Sequence, residues 1–121
     1  MAFFVLAREW KPYNTMFYIY ILYSQNSDKY YVGHTHDVIS RLDDHNHGNR
    51  PGQSKKYTFK HRPWLLKASF EISLDRSEAL KAERFIKRQK SRHFIERLIE
   101  AQNNREELAQ LLRVPLNGIN Q

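Results

Sequence analysis

The stretch Phe17-Tyr18-Ile19-Tyr20-Ile21-Leu22-Tyr23 decides the architecture. An unbroken run of aromatic and aliphatic residues reads as a strand covered on both faces, because a strand with one wet face alternates polar with apolar positions. Ser24-Gln25-Asn26-Ser27-Asp28-Lys29 follows, polar and turn-forming, and Tyr30-Tyr31-Val32 resumes strand character up to Gly33. The two runs predict an antiparallel hairpin with a six-residue loop.

Working outward from the hairpin, Thr35 or Asp37 can cap a helix whose apolar positions Val38, Ile39 and Leu42 recur at helical spacing, with an end between Asn46 and Gly48. Arg41 and His45 are four apart and share a face of it. Residues 48–63 hold Gly48, Pro51-Gly52 and Pro63 with five cations and no carboxylate, which predicts an exposed, mobile loop. Trp64 to Ile72 reads as a third strand. Asp75-Arg76-Ser77-Glu78 has the spacing of a capping box and opens a helix running to about Gln89. A further helix is expected from about Phe94 to Ala101, and the tail from Arg105 has room for another turn or two before Pro115. The expected fold is therefore α+β: a small three-stranded, mostly antiparallel sheet flanked by helices in the order β-β-α-β-α-α. One domain over residues 16–101 is expected, with a partly helical tail over 102–121. Residues 1–15 lack a clear period and end in the breaker-rich Lys11-Pro12-Tyr13-Asn14-Thr15, so they read as a poorly ordered arm or as an extension upstream of a natural start at Met16.

Composition narrows the class. The 121 residues include no Cys, which excludes a disulfide framework, a Cys-based zinc site and a thiol nucleophile and fits a cytoplasmic protein. No segment approaches a membrane span of about 20 apolar residues, and the short apolar run Ala2 to Ala7 lacks the features of an export signal. The net charge of +7 is unevenly spread: Arg50 to Arg92 holds thirteen basic and four acidic residues, a local +9, and the remainder is −2. Excess positive charge confined to one third of a chain points to a surface that meets a polyanion. Within it, Arg50, Lys55, Lys56, Lys60 and Arg62 in the loop and Arg84, Lys87, Arg88 and Lys90 on the late helix are the candidate nucleic-acid contacts. Contacts of this kind hold phosphates without reading bases, so little sequence specificity is expected.

Five residues stand out chemically. The hairpin brings Tyr20 and Tyr31 onto neighbouring strands, Arg41 and His45 project together from the next helix, and Glu83 interrupts an apolar helix face where a lone carboxylate must be paired, hydrated or metal-bound. The pairs His34/His36 and His45/His47 lack the further ligands, at usual spacing, of a structural zinc site.

Tyr18-Ile19-Tyr20, then Tyr31-Val32-Gly33-His34-Thr35, Arg41-Leu42-Asp43-Asp44-His45-Asn46 and Ala79-Leu80-Lys81-Ala82-Glu83-Arg84-Phe85-Ile86-Lys87, in this order and spacing, resemble the small single-domain branch of the GIY-YIG nuclease superfamily over about residues 16–100. The resemblance implies a metal-dependent DNA endonuclease that acts in repair or recombination on structured or damaged DNA. It implies that Glu83 holds one Mg²⁺ or Mn²⁺, that Arg41 clamps the phosphate, that Tyr20 acts as general base with Tyr31 positioning water or phosphate, and that His45 is the alternative proton acceptor. The chain departs from the family pattern at Tyr18, where the first motif has Gly, and at His34, where some members carry Lys; no late Asn matches. The rival readings are a nucleic-acid-binding module that keeps this fold without turnover, and an adaptor whose charge meets an acidic protein.

Overall fold

A computed structural model describes residues 15–48 and 57–116. The expected N-terminal arm, apart from Thr15, and the loop cations Arg50, Lys55 and Lys56 lie outside the described residues, as do residues 117–121. The elements are β1 (Phe17–Ser24), β2 (Lys29–Thr35), α1 (Val38–His47), α2 (Tyr57–Lys60), β3 (Trp64–Ser73), α3 (Arg76–Gln89), α4 (Arg92–Glu100) and α5 (Arg105–Leu112).

The three strands form one antiparallel sheet in the order β2-β1-β3. The aromatic run is its central strand, and both faces of that strand are buried, as the absence of polar alternation requires. Phe17, Ile19 and Ile21 join Val32, Phe70 and Ile72 in the main core, which α3, α4 and α5 cover through Ala79, Ala82, Ile86, Leu98, Leu108 and Leu112. Tyr20 and Leu22 point to the opposite face and pack with Trp64 beneath Val38 and Leu42 of α1. Burying a side chain of this size is worth about 1.5–3 kcal/mol, so each face is held by several such contributions.

The helix boundaries follow their caps. Asp37, not Thr35, caps α1 by accepting from the Ser40 N–H at 3.1 Å, and Gly48 ends it in the left-handed conformation. Asp75 caps α3 through the Ser77 N–H at 2.9 Å. The capping box is only half made: the Asp75 N–H donates to Ser73 Oγ, and Glu78 pairs instead with Lys81.

Two local readings are corrected. The hairpin connection is shorter than six residues, because Ser24 and Lys29 pair with each other as ladder residues. The described end of the expected loop contains α2, whose Thr58 is buried. The segment is fastened to the hairpin, since the buried Ser24 donates its hydroxyl to the His61 carbonyl at 2.6 Å and Ser27 Oγ meets His61 Nδ1 at 2.8 Å.

Candidate active site

The site begins with strand register. Tyr20 on β1 stands directly opposite Gly33 on β2, and Leu22 stands opposite Tyr31. A Cβ at position 33 would overlap the Tyr20 hydroxyl and lie 2.6 Å from its Cζ, so only glycine lets the phenol lie across the neighbouring strand. Tyr31 sits beside it, ring centroids 6.3 Å apart.

Helix α1 then closes over the pair. His45, 1% exposed, places Nε2 at 2.8 Å from the Tyr20 hydroxyl and Nδ1 at 2.6 Å from Thr58 Oγ1. With the phenol donating to Nε2, Nδ1 carries the ring proton and donates to Thr58. Thr58 is itself fixed, because its carbonyl accepts from the Trp64 indole at 2.5 Å. Asn46 completes the frame, accepting from the Trp64 N–H at 2.7 Å and donating to the Trp64 carbonyl at 3.1 Å. Arg41, one turn before His45, lies against the Tyr20 hydroxyl. Its buried Nη1 has no hydrogen-bond partner among the described residues and forms an ion pair with Asp44 Oδ2 at 3.6 Å.

The Tyr20 hydroxyl is a much weaker acid than a free phenol. Burial is the main cause, Tyr31 adds to it, and the Arg41 guanidinium opposes both. In this state Tyr20 is protonated at neutral pH.

Glu83 approaches from α3 on the other side of the edge strand. Its Oε1 meets His34 Nδ1 at 2.6 Å and its Oε2 accepts from Lys87 Nζ at 2.7 Å. His34 lies opposite Ile19 and therefore on the main-core face, whereas Tyr31 is on the α1 face. Lys87 links the two, with Nζ 5.4 Å from the Tyr31 ring centroid. The carboxylate and the tyrosine cluster thus meet around the outer edge of β2, and Glu83 is near enough to add to the rise in the Tyr20 pKa.

Tyr20, Tyr31, Arg41, His45 and Glu83 accordingly form one constellation drawn from β1, β2, α1 and α3. The remaining candidates are distributed differently. Lys87 belongs to the constellation, Arg84 and Arg88 project from the outward side of α3, Lys90 is its C-cap, Lys60 ends α2, and Arg62 stacks 3.7 Å over the Phe59 ring. Two members escaped the sequence reading. Thr58 sits in an apparently featureless loop, and His34 reads as a departure from a family Lys and as half of a rejected zinc pair; its place directly after the second motif is the available signal. The histidines have separate partners: His36 packs edge-on against Phe17 and His47 pairs with Asp43 at 2.8 Å.

The donor set at Glu83 suits one hard cation. A single carboxylate leaves most coordination positions to water and phosphate oxygens, the arrangement Mg²⁺ prefers. The Lys87 ammonium, half exposed, pairs with Oε2. Among the described residues no group of three or more His, Cys, Asp or Glu could hold a metal by itself, and no helix is long and apolar enough to cross a membrane.

No curated protein and no solved structure matches the chain. Residues 16–96, a span running from just before β1 into α4 and holding every member of the constellation, match the model of the GIY-YIG catalytic domain, and the chain with its nuclease-type fold belongs to that family.

Proposed function

We propose that the protein is a divalent-metal-dependent endonuclease that hydrolyses DNA phosphodiesters with little sequence specificity, on structured or damaged DNA of the kind met in repair or recombination. The observation that carries this reading is the buried Tyr20–His45–Thr58 chain ending beside Arg41, whose Nη1 makes no hydrogen bond among the described residues, and within electrostatic reach of the Glu83 carboxylate.

An orphaned buried donor costs about 1–3 kcal/mol, and a non-bridging phosphate oxygen placed against Arg41 Nη1 removes that cost while neutralising charge on the phosphate. The attacking water gives its proton to Tyr20 Oη as the phenol proton passes to His45 Nε2. Neither a free phenolate nor a long transfer is then required, because the two atoms are already 2.8 Å apart. Thr58 keeps the imidazole in the accepting tautomer, and Tyr31 fixes the water against the phosphate. Glu83, with His34 behind it, is the residue that would hold Mg²⁺ or Mn²⁺. A bound ion supplies Lewis-acid stabilisation of the phosphate and the leaving oxygen. Lys60, Arg62, Arg84, Arg88 and Lys90, with Arg50, Lys55 and Lys56, supply backbone contacts.

Incubation of purified protein with labelled branched, nicked and duplex DNAs and Mg²⁺ or Mn²⁺ tests the reading. Cleavage is expected on at least one substrate, with Glu83→Ala slower by at least ~100-fold while still binding DNA. Binding without cleavage by the wild type, or equal cleavage by Glu83→Ala, would mean a nucleic-acid-binding module on a nuclease fold.

A further inference from the structure

A groove of about 350 Å³ runs between α3 and the C-terminal end of α5, away from Glu83. Four cations line it: Lys81, Arg84 and Arg88 from α3 and Arg113, the exposed C-cap of α5. Its apolar floor includes Phe85 and Val114, and among the described residues no Asp or Glu lines it. The α5 side of this groove, Leu112, Arg113 and Val114, is outside the residues 16–96 that match the family.

We propose that this groove is a second nucleic-acid contact, gripping the phosphate backbone of the strand that leaves the catalytic cleft. The inference rests on the nuclease reading given above and adds a place to it. At 3.6 residues per turn, Lys87, Arg84, Arg88 and Lys81 succeed one another around α3 at steps of about 60°, 40° and 20°. The arc begins at Lys87, bonded to Glu83, and ends in the groove. No carboxylate of α3 falls on it; Glu78, which pairs with Lys81 at 3.5 Å, lies beyond its end. A helix with its side chains is about 10–12 Å across, a distance that a strand spans in roughly three nucleotides. The cations therefore form a track of the length that a few phosphates need, running from the metal-binding carboxylate to Arg113. The favoured occupant is a polyanion continuous with the substrate, since an acidic protein segment would account for the groove but not for a track leading into the catalytic cleft.

The double variant K81Q/R113Q tests this against K67Q/R97Q, which removes the same charge from exposed positions elsewhere. Affinity for labelled nicked duplex is measured by fluorescence anisotropy, without divalent metal, across a salt series. K81Q/R113Q is expected to bind roughly tenfold more weakly, with a log–log salt slope smaller by about 2, near 0.9 for each phosphate no longer neutralised. K67Q/R97Q should keep the wild-type slope. A wild-type slope in K81Q/R113Q, or an equal fall in K67Q/R97Q, overturns the groove while leaving the nuclease reading intact, and the first result would assign the groove to an acidic protein partner. Absence of DNA affinity in the wild type would overturn both.

Discussion

The Tyr20 hydroxyl and His45 Nε2 lie 2.8 Å apart in a site where both residues are almost wholly buried, at 2% and 1% exposure. A buried phenol is a poor proton acceptor unless its own proton has somewhere to go, and His45 supplies that place. In the proposed mechanism the two candidate bases act as a single relay in which each residue needs the other.

Interdependence is directly measurable. Tyr20→Phe and His45→Ala are each expected to slow cleavage by about 10²–10⁴-fold, the usual range for a missing acid–base group. The double variant should be scarcely slower than either, because groups acting as a unit are strongly non-additive. Single-turnover rates at saturating DNA check this, and additive effects would sink the relay.

Thr58→Val keeps the shape of the side chain and removes the oxygen that holds His45 Nδ1. Cleavage should fall about 10-fold, toward the lower end of what removal of an orienting partner causes, with a stability cost of about 1–3 kcal/mol for an unsatisfied buried N–H. A fall in kcat without a change in DNA affinity distinguishes a failure of positioning from a failure of binding.

Gly33→Ala forces the Tyr20 ring off the neighbouring strand. The overlap predicts about 1–3 kcal/mol of destabilisation, typical of overpacking, together with a fall in cleavage that exceeds any fall in DNA binding. Urea unfolding and cleavage assays on the same preparation separate the two effects. Wild-type cleavage in this variant would mean that the close approach of Tyr20 to Gly33 does not matter to the chemistry.

Alkaline pH should expose the burial of Tyr20. Its pKa is raised above the ordinary phenol value, chiefly by burial, so above about pH 10 the unfolded chain loses this proton while the folded one retains it. The folded state then binds more protons and stability falls as pH rises, by about 1 kcal/mol between pH 10 and 11 from this residue. Tyr20→Phe should lack that component, and a shallower decline of Tm with pH in the variant than in the wild type is the expected readout.

Much of the molecule is legible in the sequence alone. The unbroken run from Phe17 to Tyr23 specifies a central strand with two buried faces, Asp75 marks the start of α3, and the spacing of Arg41 and His45 puts them on one face of a helix. These are effects of periodicity and backbone hydrogen bonding, which act over a few residues. The tertiary structure decides which distant groups touch. Strand β3 shows why. Trp64, Ala68 and Phe70 are all even-numbered and would share a face in a regular strand, yet Trp64 lies opposite Ser24 on the α1 side while Ala68 and Phe70 lie opposite Ile21 and Ile19 on the main-core side. A register shift between Ile21 and Leu22 switches the strand from one face to the other. That shift lets Trp64 fix Thr58 beneath His45 without surrendering Phe70 to solvent. The His34–Glu83 pair, 49 residues apart in sequence, and the meeting of Arg113 with the basic side of α3 belong to the same class. Local sequence sets which elements form; register and packing, which depend on the whole sheet closing at once, set which side chains meet.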